Sequence, residues 1–223
     1  MIDKRLRRAA LASLAAALLL VPVAHADDGK TAPAGKVFAF LESFLKVPPA
    51  ERARIKVTYG LRRDGQPATG VKAVLVEANG ARTPLPIDAK GRFERLPTLA
   101  QLQGKANVVF DVPADTKFGT SMQLAPVLRA ATEYETSELE ATVTESNAAI
   151  RKTAGAMAMM APQMTGLTFA KAESGVVVFP NGGTQPLPVV DGAVVYRSGV
   201  YKGASRVRLA KTPTLVDFYD KKK

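Results

Sequence analysis

Asp88 and Asp191 are the carboxylates whose spacing invites chemistry. Each follows a Pro-Leu-Pro segment, Pro84-Leu85-Pro86 in one case and Pro186-Leu187-Pro188 in the other. Two carboxylates held ~5–10 Å apart can work as acid and base in a hydrolase. The same residues also suit turns, because an Asp ahead of a Gly turn accepts hydrogen bonds from its own backbone. A carboxylate-dependent hydrolase of envelope polymers is one expectation, and a pair of turn aspartates is the other. The rest of the inventory is narrow. The chain has no Cys, no Trp and a single histidine, His25. That excludes disulfides, thiol nucleophiles and zinc–thiolate sites. A D-x-D-x-D-G calcium loop, a Walker A loop and a dinucleotide glycine pattern after a strand are missing as well. No catalytic residue, cofactor or metal ligand is expected, and the balance points to a protein that binds rather than catalyses.

Basic residues are the second kind of candidate. Arg52, Arg54, Arg62 and Arg63 gather around the first strand pattern, with Lys56 among them. Lys202, Arg206, Arg208 and Lys211 gather around a late one, and the formal charge is +11. Such residues can meet lipopolysaccharide phosphates, lipid headgroups or an acidic envelope protein. They can equally be the solvated face of a sheet. No basic patch is interleaved with stacking aromatics, so nucleic acid is not an expected partner.

The first segment reads as an address. Residues 1–26 carry Lys4, Arg5, Arg7 and Arg8, then an apolar run from Ala9 to Ala24, then Ala24-His25-Ala26. This is the order of a secretory signal peptide, cleaved after the A-x-A formed by Ala24 and Ala26. The run is shorter than the ~20 residues that span a bilayer. A soluble, periplasmic protein with no transmembrane segment in its mature chain is expected. Removing four cations and Asp3 lowers the formal charge from +11 to +8 and takes away His25. A histidine triad, a histidine metal site and a histidine pH switch then become impossible in the mature chain.

These candidates need elements to hold them. Residues 27–53 read as a flexible start followed by a short helix. Val37, Phe40, Leu41, Phe44 and Leu45 fall on one helical face, and Pro48-Pro49 ends it. Residues 54–130 alternate with period two, as half-buried strands do. Ile55, Val57, Tyr59 and Leu61 make the first strand, Val71–Glu77 the next and Ala106–Val112 a later one, with a further candidate at Met122–Leu124. Residues 131–162 read as a connecting helix, with Ser137 and Glu140 spaced as a capping box. Its end, Ala154–Ala161, is free of charge and rich in Met. It suits either a wedge against a sheet or a docking and lipid-contact surface. Residues 163–223 return to period two and close on the basic tail Lys221-Lys222-Lys223.

An internal repeat organises these stretches. Asn79-Gly80-Ala81-Arg82-Thr83-Pro84-Leu85-Pro86-Ile87 matches Asn181-Gly182-Gly183-Thr184-Gln185-Pro186-Leu187-Pro188-Val189 in spacing. An Asp and Gly turn follows each, then an aromatic residue. Gly104-Lys105-Ala106 corresponds to Gly203-Ala204-Ser205. Asn-Gly reverses the chain, because both turn positions need positive φ. Pro-x-Pro cannot donate to a neighbour and belongs at a sheet edge. The expected fold is mainly β with helices: two related β-sandwich-like modules joined by a long helix, plus a short N-terminal helix.

The first copy resembles a wider family. Asp64-Gly65-Gln66-Pro67, Val74-Leu75-Val76 and Asp88-Ala89-Lys90-Gly91-Arg92-Phe93 leading to Leu96-Pro97 are similar to carboxypeptidase-regulatory-like domains. The resemblance covers residues 55–113. It implies an immunoglobulin-like sandwich that binds or spaces, and it brings no catalytic residues. The function expected from the whole chain is that of an exported binding or envelope accessory protein. The alternatives are the hydrolase and an anionic-lipid or lipopolysaccharide contact protein.

Overall fold

The computed structural model describes residues 29–220. The leader, with Ala24 and Ala26, and the Lys221–Lys223 tail lie outside the described residues. The chain is mainly β, with antiparallel sheets and helices placed between strands. Its first half runs β1 (Gly29–Pro33), α1 (Ala34–Val37), α2 (Leu41–Lys46), β2 (Ile55–Arg63), β3 (Gln66–Pro67), β4 (Ala73–Val76), β5 (Arg82–Pro84), α3 (Leu99–Gln103), β6 (Asn107–Pro113) and β7 (Gly119–Pro126). The second half runs β8 (Glu133–Glu135), α4 (Thr136–Ala154), a 3-10 segment (Gly155–Met160), β9 (Gly166–Ala170), β10 (Gly175–Val178), β11 (Thr184–Pro186), β12 (Val189–Val190), β13 (Ala193–Arg197), β14 (Arg206–Leu209) and β15 (Leu215–Tyr219).

Strand order is alike in one sheet of each half, and the other sheet has three strands in the first half and four in the second. One sheet is β1-β6-β4-β5 in the first half and β8-β14-β10-β11 in the second. The other is β3-β2-β7 in the first and β12-β13-β9-β15 in the second. The local chemistry is alike too. Gly80 and Gly182 both take φ +82. The Asn79 side-chain oxygen accepts from Ala81 N at 2.9 Å, and that of Asn181 from Gly183 N at 3.0 Å. Beyond the first proline of each segment, Leu85 and Leu187 donate their N–H groups to the carbonyls of Ala73 and Gly175, each at 2.8 Å. Both leucine side chains are buried. An added Cβ at Gly175 would stand 2.8 Å from Leu209 Cδ2, so the Leu209 side chain would have to shift to admit one. Ala106 and Ser205, matched in the sequence, accept from Ala34 N at 2.9 Å and Thr136 N at 3.0 Å. Each bond ties the start of a helix to the residue just before a strand, β6 or β14.

Each half closes on its own core. In the first, Phe38 meets Tyr59 edge-on at 5.3 Å and Phe93 at 4.9 Å. Leu75, Val108 and Phe110 come from the other sheet and join the same cluster. The Tyr59 hydroxyl donates to the Ala39 carbonyl at 2.5 Å and holds the helical pair on β2. In the second half, Tyr134, Phe169, Val177, Val194 and Val207 form the centre. α4 serves both cores, with Leu139 and Val143 in the second and Ala149 in the first.

Several local expectations change. Gly29–Pro33, read as a loose start, is a strand paired with β6. Composition says little about an edge strand whose partner lies some eighty residues away. The helix expected over 37–47 is two pieces, because Phe40 adopts φ +66. The break turns Phe40 outward and puts Phe38 into the core instead. Ser137 and Glu140 make no capping box: α4 begins after Glu135 without a side-chain cap, and Glu140 bonds elsewhere. A capping box does exist at α3, between Thr98 and Gln101.

Candidate functional site

β7 and β15 are the outer strands of their sheets and lie against each other without a hydrogen-bonded ladder. Their meeting leaves a cleft of about 730 Å³. That falls within the ~300–1,000 Å³ typical of small-molecule sites. β7 contributes Met122 and Leu124 to its wall, and β15 contributes Val216 and Phe218. Phe218 packs on both cores, so this wall is continuous with the interior of each half. The end of α4 supplies Ile150 and Ala154, and the 3-10 segment adds Met157 and Met160. Phe40 and Phe44 come from the far side, which makes the left-handed break at Phe40 part of the cleft's construction. Charge is confined to a few groups of both signs. Lys56 and Arg92 belong to the first half, Asp217 and Asp220 to the second. The Asp217 carboxylate also accepts from Phe218 N at 2.8 Å.

A smaller recess of about 260 Å³ lies over the start of α4. Here Glu140 accepts from the Tyr196 hydroxyl at 2.6 Å, from Gly199 N at 2.9 Å and from the Ser198 hydroxyl. Burial raises the Glu140 carboxyl, but these donors outweigh it and hold the group below its ordinary range. Burial first, then the Glu140 carboxylate, pushes Tyr196 well above the ordinary phenol range, so it stays a donor. Every strong bond in this recess joins α4 to the β13–β14 region. The arrangement reads as a lock.

The candidate carboxylates do not meet in the cleft; neither Asp88 nor Asp191 lines it. Asp88 accepts from Lys90 N at 2.7 Å, Arg92 N at 2.8 Å and Arg92 Nε at 3.2 Å. The Arg92 backbone donor, followed by the other bonds, holds its carboxyl below the usual value. Asp191 sits at φ +50 beside Gly192 in the β12–β13 turn. The basic residues are dispersed: Arg62 and Arg63 are on β2, Arg206 and Arg208 on β14, and Arg52, Arg54, Lys202 and Lys211 lie outside the strands. Arg52 donates to the Val47 carbonyl at 2.8 Å and lies over the Phe44 ring. Arg54 pairs with Glu145 at 3.0 Å, and Arg63 lies over Phe118. Arg62 is on β2 beside it. Arg206 and Arg208 converge on Glu133, Lys211 pairs with Glu173 at 2.5 Å, and Lys202 edges the smaller recess. Among the described residues, no group of three or more His, Cys, Asp or Glu is placed to hold a metal. No described helix is long and apolar enough to cross a membrane.

The cleft itself escaped the sequence reading. Its one visible signal was the charge-free Ala154–Ala161 stretch, whose methionines line the cleft or stand in solvent.

No curated protein and no solved structure is significantly similar to the chain. Residues 44–170 match a family described as a protein of unknown function, DUF2987. The match runs from α2 to the end of β9 and takes in β7, α4 and the 3-10 segment. The match shows no carboxypeptidase-regulatory-like family. With more than half its length inside the match, the chain belongs to the DUF2987 family.

Proposed function

We propose that this is an exported, non-catalytic binding protein of the cell envelope, and that it holds an apolar or amphipathic small molecule in the cleft between its halves. The leader pattern of residues 1–26 supports export to the periplasm. The observation that carries the binding role is the cleft: about 730 Å³, walled by Met122, Leu124, Val216 and Phe218, with a few charged groups at its margin. Methionine is flexible and polarisable, and it suits a surface that adapts to ligands of varied shape. The halves themselves are two copies of one sandwich-like module. The common strand order of one sheet in each half, equal turn geometry and equivalent Leu85 and Leu187 support that reading. The cleft then forms where equivalent strands, β7 and β15, come together.

Two measurements test this. The periplasmic protein should have the mass of a chain that begins at Asp27. The fluorescent probe N-phenyl-1-naphthylamine should bind saturably, and Ala125→Trp, which fills the cleft, should weaken it at least tenfold. Val189→Trp, on an exposed strand, should leave binding unchanged. Equal binding by the two variants would reject the cleft as the site.

A further inference from the structure

The sequence holds six methionines, and the five after Met1 all fall among the described residues. Four of these, Met122, Met157, Met160 and Met164, line the same cleft. In a 3-10 helix, side chains at i and i+3 eclipse. Met157 and Met160 therefore stand one above the other on the Gly155–Met160 segment. Met164 follows after Pro162, and Met122 joins the same lining from β7. Exposure grades across the set: Met160 is 88% exposed and Met157 52%, while Met122 and Met164 are partly buried. Sulfur is thus reachable from solvent at one end and shielded at the other.

From Asp27 to the end the chain has neither Cys nor His, so thioethers are its only soft donors. Thioether sulfur selects Cu(I) over harder cations such as Zn(II). We propose that Met157, Met160 and Met164, with Met122 of β7, bind Cu(I) through sulfur. Ag(I) has the same charge and softness and serves as its redox-inert stand-in. Apolar packing alone needs a side chain of this size at each position, not this element. Leucine replaces methionine with nearly conserved volume, so the sulfur can be removed while the wall of the cleft is kept. The inference does not depend on the cleft holding an apolar molecule.

The test is titration of the full mature protein with Ag(I) by calorimetry and with Cu(I), kept anaerobic, against a chromophoric chelator. One saturable equivalent is expected. Met157→Leu, Met160→Leu and Met164→Leu should each weaken binding at least tenfold. Met159→Leu, which removes a sulfur that is 100% exposed and outside the cleft, should stay within twofold. A second readout uses the unaltered protein labelled in its methionine methyl groups. Ag(I) should shift the resonances of Met157, Met160 and Met164, and leave that of Met159 in place. Absence of saturable binding, equal binding by the Leu variants, or equally tight binding of Zn(II) would overturn the proposal. N-phenyl-1-naphthylamine should still bind the Leu variants, so loss of metal alone separates this result from failure of the cleft as an apolar site.

Discussion

In the first half, β1 leads into α1 and α2, two pieces of four and six residues broken at Phe40. In the second half, β8 leads into α4, nineteen residues without a break. Each segment is fastened at its start to the carbonyl of the residue just before a strand, Ala106 before β6 or Ser205 before β14. Their lengths set their roles. The short pair stays over its own core and turns Phe40 into the cleft. The long helix outruns its core, inserts Ala149 into the other, and delivers the methionine segment. The difference in helix length, rather than in the sheet β1-β6-β4-β5 or β8-β14-β10-β11, is what brings the methionine segment to the cleft.

The likeness of the halves can be broken at matched positions. Leu85→Ala and Leu187→Ala should each cost about 3 kcal/mol, as buried leucines do. Urea unfolding measures both, and a difference above about 2 kcal/mol would mean the segments bear unequal loads. The contrast is sharpened at Glu140, for which the described residues of the first half show no comparable lock. Glu140→Gln should cost roughly 2 kcal/mol, the range for hydrogen bonds to a charged group. The sign with pH follows from its lowered value. The unfolded carboxyl, near ~4.3, takes up a proton before the folded one. Its stabilisation is therefore full above that pH and fades as pH falls through the folded value. Stability of the unaltered protein should rise with pH over this acid range more than that of Glu140→Gln. The smallest effect is expected at Phe40. Glycine accepts φ +66 without strain, so Phe40→Gly should raise stability by about 0.5 kcal/mol, read from the thermal midpoint.

What could be seen in the sequence was what turns and edges dictate locally. Asn79-Gly80 and Asn181-Gly182 announced their reversals, and the prolines of β5 and β11 announced sheet margins, where the structure places them. What could not be seen depended on partners distant in the chain. β1 needs β6, and Glu140 needs Tyr196 and Ser198. The break at Phe40 carries no Gly or Pro to mark it. The cleft is legible in neither half alone, since Met122 and Val216 meet only when β7 and β15 do. Thr98 and Gln101 did carry a readable signal, a Thr followed three residues later by Gln.

The placement of Pro84 and Pro186 has one more consequence. β5 and β11 each end one four-stranded sheet, β1-β6-β4-β5 and β8-β14-β10-β11, and each finishes on a residue that has no N–H to offer. A bare sheet margin is a template on which a neighbouring molecule can extend the pleat, and so a starting point for fibres. Here Pro84 and Pro186 each remove one donor from such a margin, which disfavours pairing between copies along β5 or β11.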